Sequence, residues 1–430
     1  MIREDYKLEA YITAERLGTQ QIDVANIVAE FNLYEDITKP YLTGEVALLD
    51  DSGLINGVQF KGTETFTIIL NNDEMGVAPI TKTFIITEVS NSVRINDNSE
   101  MFTLTLIEPH LFFSRATPIS RTYHGTPEQM ISKLVTDNII NKKVIIKNTT
   151  TAAQGAMKVT FPYIEPLQAV ELLRSRMTTS EGYPYVFYAS LHEDGLTLDN
   201  LGDMLKKDVW NEDLPFTYSQ AASQTQDELR VKLSSIEKFI RPNADDMLGS
   251  MLSGAVGSRF SVFDTTYGQS VYSGHHDINK TLKPLLDDDG AVQSIFDESF
   301  TIAGVELNNI DSRNYFQVTS SNLYEGYQSF SDEYSDAGLH KTKVQAKAII
   351  SAMDKNMVVL QVPGPFFLAN TESGIGNRLK VNIFSTSSTI DGVDTTKSGN
   401  YLVTAVRHIF KEGKHTVSIK ATKLTEQRKI

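Results

Sequence analysis

His275, His276 and Asp277 place three metal-ligating side chains side by side. Neighbouring residues on an extended chain point to opposite faces, and no second group at zinc-ligand spacing accompanies them, so they read as a loop pair with no metal role. Asp287, Asp288 and Asp289 lack the alternating spacing and closing glutamate of a calcium loop and read as a polar turn. GIGNRL at Gly374 to Leu379 opens like a dinucleotide-binding loop, but the third glycine is missing and a strand follows, so it reads as a β turn. Asn148 to Thr150 spells a glycosylation acceptor, which a chain without a signal peptide does not present to that machinery. No nucleophile elbow, phosphate-cradling loop or zinc-protease helix occurs. With 54 acidic residues, any carboxylate pair chosen for glycoside hydrolysis is arbitrary. The sequence therefore assigns no catalytic, cofactor-binding or metal residue.

The bulk properties narrow the classes further. The 430-residue chain contains no cysteine, which excludes disulfides and thiolate chemistry and leaves stability to packing. A net charge of −14 argues against general binding to a phosphate backbone, yet suits a surface past which a polyanion slides without sticking. No run approaches a membrane span, and the N-terminal MIREDYKLEAYI is too charged for a signal peptide, so the expected compartment is cytoplasm-like.

Strand patterns dominate both ends. Near the C-terminus, GNRLKVNIF (Gly376 to Phe384), the run from Gly399 through Val406, and the alternation of Val417, Ile419 and Ala421 read as three strands. The KEGK turn at Lys411 to Lys414 joins the last two as a hairpin, with Gly413 free to take a positive φ. The N-terminal part carries the same plan in GTETFTIIL (Gly62 to Leu70), KTFIITEV (Lys82 to Val89) and FTLTLIEP (Phe102 to Pro109). Thr87 aligns with Thr404 and Val89 with Val406, and Phe102, Leu104 and Leu106 align with Val417, Ile419 and Ala421. Order, spacing and the leading glycine point to a duplicated β domain.

Between the copies the pattern changes. Thr126, Pro127 and Gln129 form a capping box for a helix ending near Asn138 with Met130, Leu134 and Val135 on its apolar stripe. A second helix follows Pro162 and carries Leu167, Val170, Leu173 and Met177. The expected fold is thus mainly β with α+β segments: two antiparallel β domains, each a sheet or barrel, plus an α+β domain built from two separate chain segments. The divisions are a first β domain at 1–118, the first α+β segment at 119–209, the opening strands of the second β domain at 210–240, an insertion at 241–341 packing with 119–209, and the remainder of the second β domain at 342–430. Within 1–118, Asp51 to Asn56 reads as a short helix or a corner, and within 342–430 a helix is expected at 342–353.

In this order the chain resembles the central baseplate hub proteins of contractile-tailed bacteriophages, which are related to the spike-base proteins of type VI secretion and other contractile injection systems. The likeness rests on NLYEDITKPYLTGEVALLD at Asn32 to Asp50 with GTETFTI at Gly62 to Ile68, and on VPG at 362–364 followed by GNRLKVNI and SGNYLVTAVRHIF. The resemblance implies that the two β domains are tail-tube-like antiparallel β-barrels and that the chain is a structural, non-enzymatic homotrimer in which the paired barrels form a pseudo-sixfold ring. Its implied partners are the central spike protein, the tail tube or tube-initiator proteins, and tape measure and baseplate wedge proteins. Genomic DNA would pass an acid-lined channel without specific binding, and the protein would reside in the virion tail baseplate after assembly in the host cytoplasm. The hub of a related contractile injection system is the nearest alternative, and a tail-associated cell-wall glycosidase a more distant one.

Overall fold

The computed structural model describes residues 6–16, 18, 21–71, 78–96, 99–218, 233–242, 247–254, 256–265, 268–278, 292–294, 301–319, 328–329, 342, 345–350, 353–354, 357–384, 392–394 and 397–427. The Asp287–Asp289 turn lies outside them.

The N-terminal segment forms β1 (Lys7–Thr13), β2 (Gln21–Asp23), β3 (Val28–Asp36), β4 (Thr43–Asp50), β5 (Thr65–Asn71), β6 (Ile80–Arg94) and β7 (Glu100–Ile107), with a short helix α1 (Leu54–Val58) before β5. The middle segment contains α2 (Pro109–Ala116), β8 (Ile119–Gly125), α3 (Pro127–Asn138), β9 (Val144–Ile146), β10 (Met157–Ile164), α4 (Pro166–Arg174), β11 (Tyr185–Ala189), β12 (Leu196–Asn200) and α5 (Leu201–Lys206). Strands β13 (Phe216–Tyr218) and β14 (Lys238–Ile240) follow, then β15 (Gly257–Asp264) and β16 (Gln269–Asp277). After the short strands β17 (Val292–Ser294), β18 (Thr301–Ile302) and β19 (Val305–Glu306) come β20 (Asn314–Thr319) and β21 (Gln328–Ser329). The chain ends with β22 (Met357–Pro363), β23 (Arg378–Ile383), β24 (Gly399–Lys411), β25 (Lys414–Thr422) and β26 (Thr425–Gln427).

The expected pair of barrels is absent. Strands from both ends of the chain share one 13-stranded sheet in the order β14-β22-β25-β24-β3-β4-β7-β6-β5-β1-β2, with β23 and β13 branching from β24, and among the described residues no sheet closes. The reason is where β3 and β14 spend their edges. Closing a barrel requires the first strand of each copy to pair with the last of the same copy. Here β3 pairs antiparallel with β24 of the other copy, from Ala405 opposite Asp36 to Lys411 opposite Glu30, and β14 ends the sheet.

The duplication holds in atomic detail. Both β6 and β24 bulge at the aligned threonine, with the register against the next strand shifting between Ile86 and Glu88 and between Val403 and Ala405. Thr87 Oγ1 donates to Thr105 O and Thr404 Oγ1 to Lys420 O, each at 3.1 Å. Flanking pairs match as well: Phe84 opposite Phe66 and Tyr401 opposite Leu379, then Leu104 opposite Val46 and Ile419 opposite Leu360. The KEGK hairpin turns as expected, with positive φ at both Glu412 and Gly413, the primed geometry that follows strand twist. The copies differ at their inner ends, where β1 runs antiparallel to β5 but β13 runs parallel to β23.

The capping box at Thr126 and Gln129 forms, and Met130, Leu134 and Val135 are buried. The second helix starts at Pro166, because 157–164 is strand. The helix or corner expected at Asp51 to Asn56 is a turn leading into the short helix α1 at Leu54–Val58, whereas α2, opened by Pro109 at its first position, interrupts a stretch that reads as wholly β. Between the copies, β11 and β12 are buried on both faces. Tyr185, Phe187 and Ala189 enter the core of the N-terminal copy, while Val186 and Tyr188 enter that of the C-terminal copy. The insertion contains a three-stranded sheet β16-β15-β20, and β21 adds parallel to β10 at Met157 and Lys158.

Deleting Thr404 would remove the bulged residue and turn Val406, His408 and Phe410 from the buried to the exposed face. That deletion variant should be recovered unfolded, whereas Thr404→Ala, which keeps the residue count and loses one hydrogen bond, should cost about 1 kcal/mol in chemical denaturation.

Candidate functional site: the junction of the two sheet copies

The β24–β3 pairing brings Glu35 into the interior, where its side chain is 1% exposed beside that of His408 at 2%. His408 donates its Nε2–H to Glu35 Oε1 (2.9 Å), and its Nδ1 shares a hydrogen bond with His415 Nε2 (3.2 Å). The other carboxylate oxygen accepts from the Leu191 amide of the middle segment (2.7 Å). One carboxylate therefore ties together the N-terminal copy, the C-terminal copy and the wedge between them. Phe410 extends the cluster, stacked on His415 at 4.3 Å and on Phe31 at 5.5 Å between ring centroids. Gly364 of the VPG turn has a physical requirement here: the His415 ring occupies the space a Cβ would need.

Burial alone would raise the Glu35 carboxyl, but the His408 hydrogen bond, its charge and the Leu191 amide outweigh that and hold it below the usual range. Burial pushes His415 well below the ordinary imidazole value, and His408 adds to the effect. His192, whose Nε2 hydrogen-bonds with Phe367 O (2.8 Å), and His110, bonded to Pro40 O (2.7 Å), are lowered mainly by burial too. The wedge is anchored at further points: Lys82 Nζ donates to Glu193 O (2.7 Å) and the Ala189 amide to Lys39 O (3.1 Å). On the solvent side of the junction, Glu30 lies 4.0 Å from Arg407 and 3.4 Å from Lys411.

The motifs inspected for chemistry have structural roles. His275 and His276 lie in strand β16, not in a loop; β-pairing with β15 orders them, and they face opposite sides. His276 is buried, while His275 Nδ1 hydrogen-bonds Asp311 Oδ1 (2.7 Å), whose other oxygen accepts from Arg259 Nε (2.7 Å). Gly376 takes φ +78° in the turn before β23, and Tyr188 Oη fills the place of its missing side chain. The Asn148–Thr150 stretch is held by Asp203, which accepts from the Thr149 and Thr150 amides (2.7 and 3.0 Å). Burial opposes ionisation of Asp203, but these amides and the Asn200 and Thr149 side chains lower it to about 2. Among the described residues, no group of three or more His, Cys, Asp or Glu side chains could hold a metal ion, and no helix is long and apolar enough to cross a membrane.

No protein-family model and no curated protein matches the chain. Among the solved structures that share its fold over nearly the whole length are two tail proteins. One is the tail protein from Neisseria meningitidis MC58, at 12% identity, covering 97% of this chain and 96% of that one with a TM-score of 0.55. The other is the 43 kDa tail protein of prophage MuSo2 from Shewanella oneidensis, at 10% identity, covering 97% and 98% with a TM-score of 0.54. The chain thus shares its fold with these two tail proteins.

Glu35→Ala would strand His408 and the Leu191 amide and should destabilise the protein by about 3–5 kcal/mol, read from the denaturant midpoint. The pH dependence has a defined sign. Glu35, lowered in the fold, contributes stability present above its unfolded value of 4.5 and lost as pH falls toward its folded value. His415, His110 and His192 stay neutral in the fold while the unfolded chain takes up protons below 6.5, so each erodes stability as pH drops through that value. The melting temperature should therefore decline from pH 7 to pH 5, and a flat profile would contradict the buried neutral histidines.

Proposed function

We propose that the chain is the central hub of a contractile-tail baseplate: a homotrimer whose duplicated sheet units form a pseudo-sixfold ring between the sixfold tail tube and the threefold central spike. The observation that carries this is the duplication itself. Two units that share the bulge at Thr87 and Thr404 and are joined edge to edge give three chains six similar surfaces for the tube. The unduplicated middle segment and insertion keep threefold symmetry for the spike. On this reading 1–118 is one unit and 210–240 with 342–430 the other, while 119–209 and 241–341 make the third part.

Binding is the whole activity in this role, with no substrate turned over. Tube or tube-initiator proteins stack on one side and the spike on the other, with tape measure and wedge proteins as further neighbours in the virion. The net charge of −14 supports passage of DNA through the ring without specific binding. The fold shared with two tail proteins supports the setting.

Light scattering on the purified chain, alone and with a candidate spike protein, tests the proposal. A trimer, or a monomer that becomes three-to-three with the spike, is expected; a monomer indifferent to spike and tube proteins would refute it.

A further inference from the structure

Applying the internal repeat to its own joint shows where a second chain fits. In the C-terminal copy, β24 gives one edge to β23 as far as Leu402 and then, past the bulge, gives the same edge to β3. The Ile37 amide closes this joint by donating to Thr404 O (3.0 Å). In the N-terminal copy, β6 gives its edge to β5 as far as Ile85. From Thr87 to Val93 no further strand flanks that edge among the described residues. A groove of about 650 Å³ lies there between Phe60–Gly62 and Ile86–Val89.

The strand that would fill it is present elsewhere in the chain. β14 pairs with β22 as β3 pairs with β4: Phe239 lies opposite Leu360 as Phe31 lies opposite Val46. Yet β14 ends the sheet: β13 flanks the chain just before it, with Thr217 bonded to Ser234 and Ile236, and among the described residues no strand pairs with the outer side of 238–240. The two edges stand seven strands apart, about 30 Å at ordinary strand spacing, so they do not meet within one chain.

We infer that β14 of one chain adds antiparallel to the Glu88–Val93 edge of β6 in a second copy of this chain, reproducing between chains the joint that β3 and β24 make within one. The register follows from the repeat once a second bulge, between Ser90 and Val93, which β6 has and β24 lacks, is counted. Ile409 lies opposite Asn32 and pairs on its other side with Thr416; Val93 pairs correspondingly with Met101, and Ile240 with Val359 as Asn32 with Glu45. Val93 of one chain therefore faces Ile240 of the next. Both are apolar and exposed, at 54% and 39%, and the adjoining Ile95 is exposed at 55%. The contact uses different surfaces on its two sides, so it runs head to tail and closes into a ring or continues as a filament. This deepens the ring reading above and rests on it.

The absence of native cysteine makes the test clean. In Val93→Cys/Ile240→Cys protein, mild oxidation should give a ladder of covalent oligomers, since directly opposed residues lie close to disulfide distance. Mixing the two single variants should give only 93-to-240 dimers, and pairing Val93→Cys with Lys238→Cys should cross-link at least tenfold less. Hydrogen exchange on the unmodified chain, independent of any variant's folding, should slow at least tenfold at 88–93 and 238–240 on assembly. Dimers linked 93-to-93 or 240-to-240 would overturn the inference. So would a trimer by light scattering with neither cross-link nor protection, which leaves the ring reading standing. A ladder closing at a number other than three would uphold the joint and refute the threefold reading. A chain that stays monomeric and unlinked would overturn both.

Discussion

The antiparallel pairing of β3 with β24 turns two similar sheets into one. It joins residues 373 positions apart and sets a carboxylate, Glu35, where water is excluded. A buried charge costs several kcal/mol unless its hydrogen-bonding capacity is met. Glu35 meets it from two directions, His408 across the joint and Leu191 from the wedge, so the three parts of the chain are held in one relative position. Apolar packing alone tolerates sliding; a carboxylate satisfied at both oxygens does not. The same requirement explains the rings stacked beside it, which exclude water from the pair.

The duplication shows which features a sheet unit must keep and which it can trade. Both copies retain the bulge and its threonine bond, and in β24 the extra residue lets a long strand give one edge to two successive partners. At the inner end, by contrast, an antiparallel strand in one copy is replaced by a parallel one in the other. The middle segment lays β11 between the two cores.

Local chemistry was legible in the sequence where short-range rules govern it. The capping box at Thr126, the KEGK turn, and the alternation of Phe102, Leu104 and Leu106 depend on neighbours a few residues away. The alignment of Thr87 with Thr404 marked the bulges without revealing them as bulges. Closure was misjudged because strand periodicity records which face is buried and says nothing of which edge is used; an edge is chosen by backbone hydrogen bonds common to every residue. The Glu35–His408 contact was hidden for a related reason, since each residue sits alone in an ordinary strand. A signal did exist for the wedge: YVFYA at Tyr185 to Ala189 is apolar without alternation, the mark of a strand buried on both faces. The histidines at 275 and 276 were misplaced in a loop because the polar composition of β16 masks its pairing.

The distance along the chain between β3 and β24 also bears on biosynthesis. At about 5–20 residues per second, the ribosome takes roughly 20–75 s to reach β24 after finishing β3. Throughout that interval β3 carries an open edge, a template for unwanted pairing, with an acidic group near its end that lacks its imidazole partner. A charge on a waiting edge discourages apolar aggregation, and it becomes an asset to the fold only when the last strands arrive. Glu35 thus acts as a gatekeeper during synthesis and a tie afterwards, and the chain commits to its native arrangement late, at its C-terminal end.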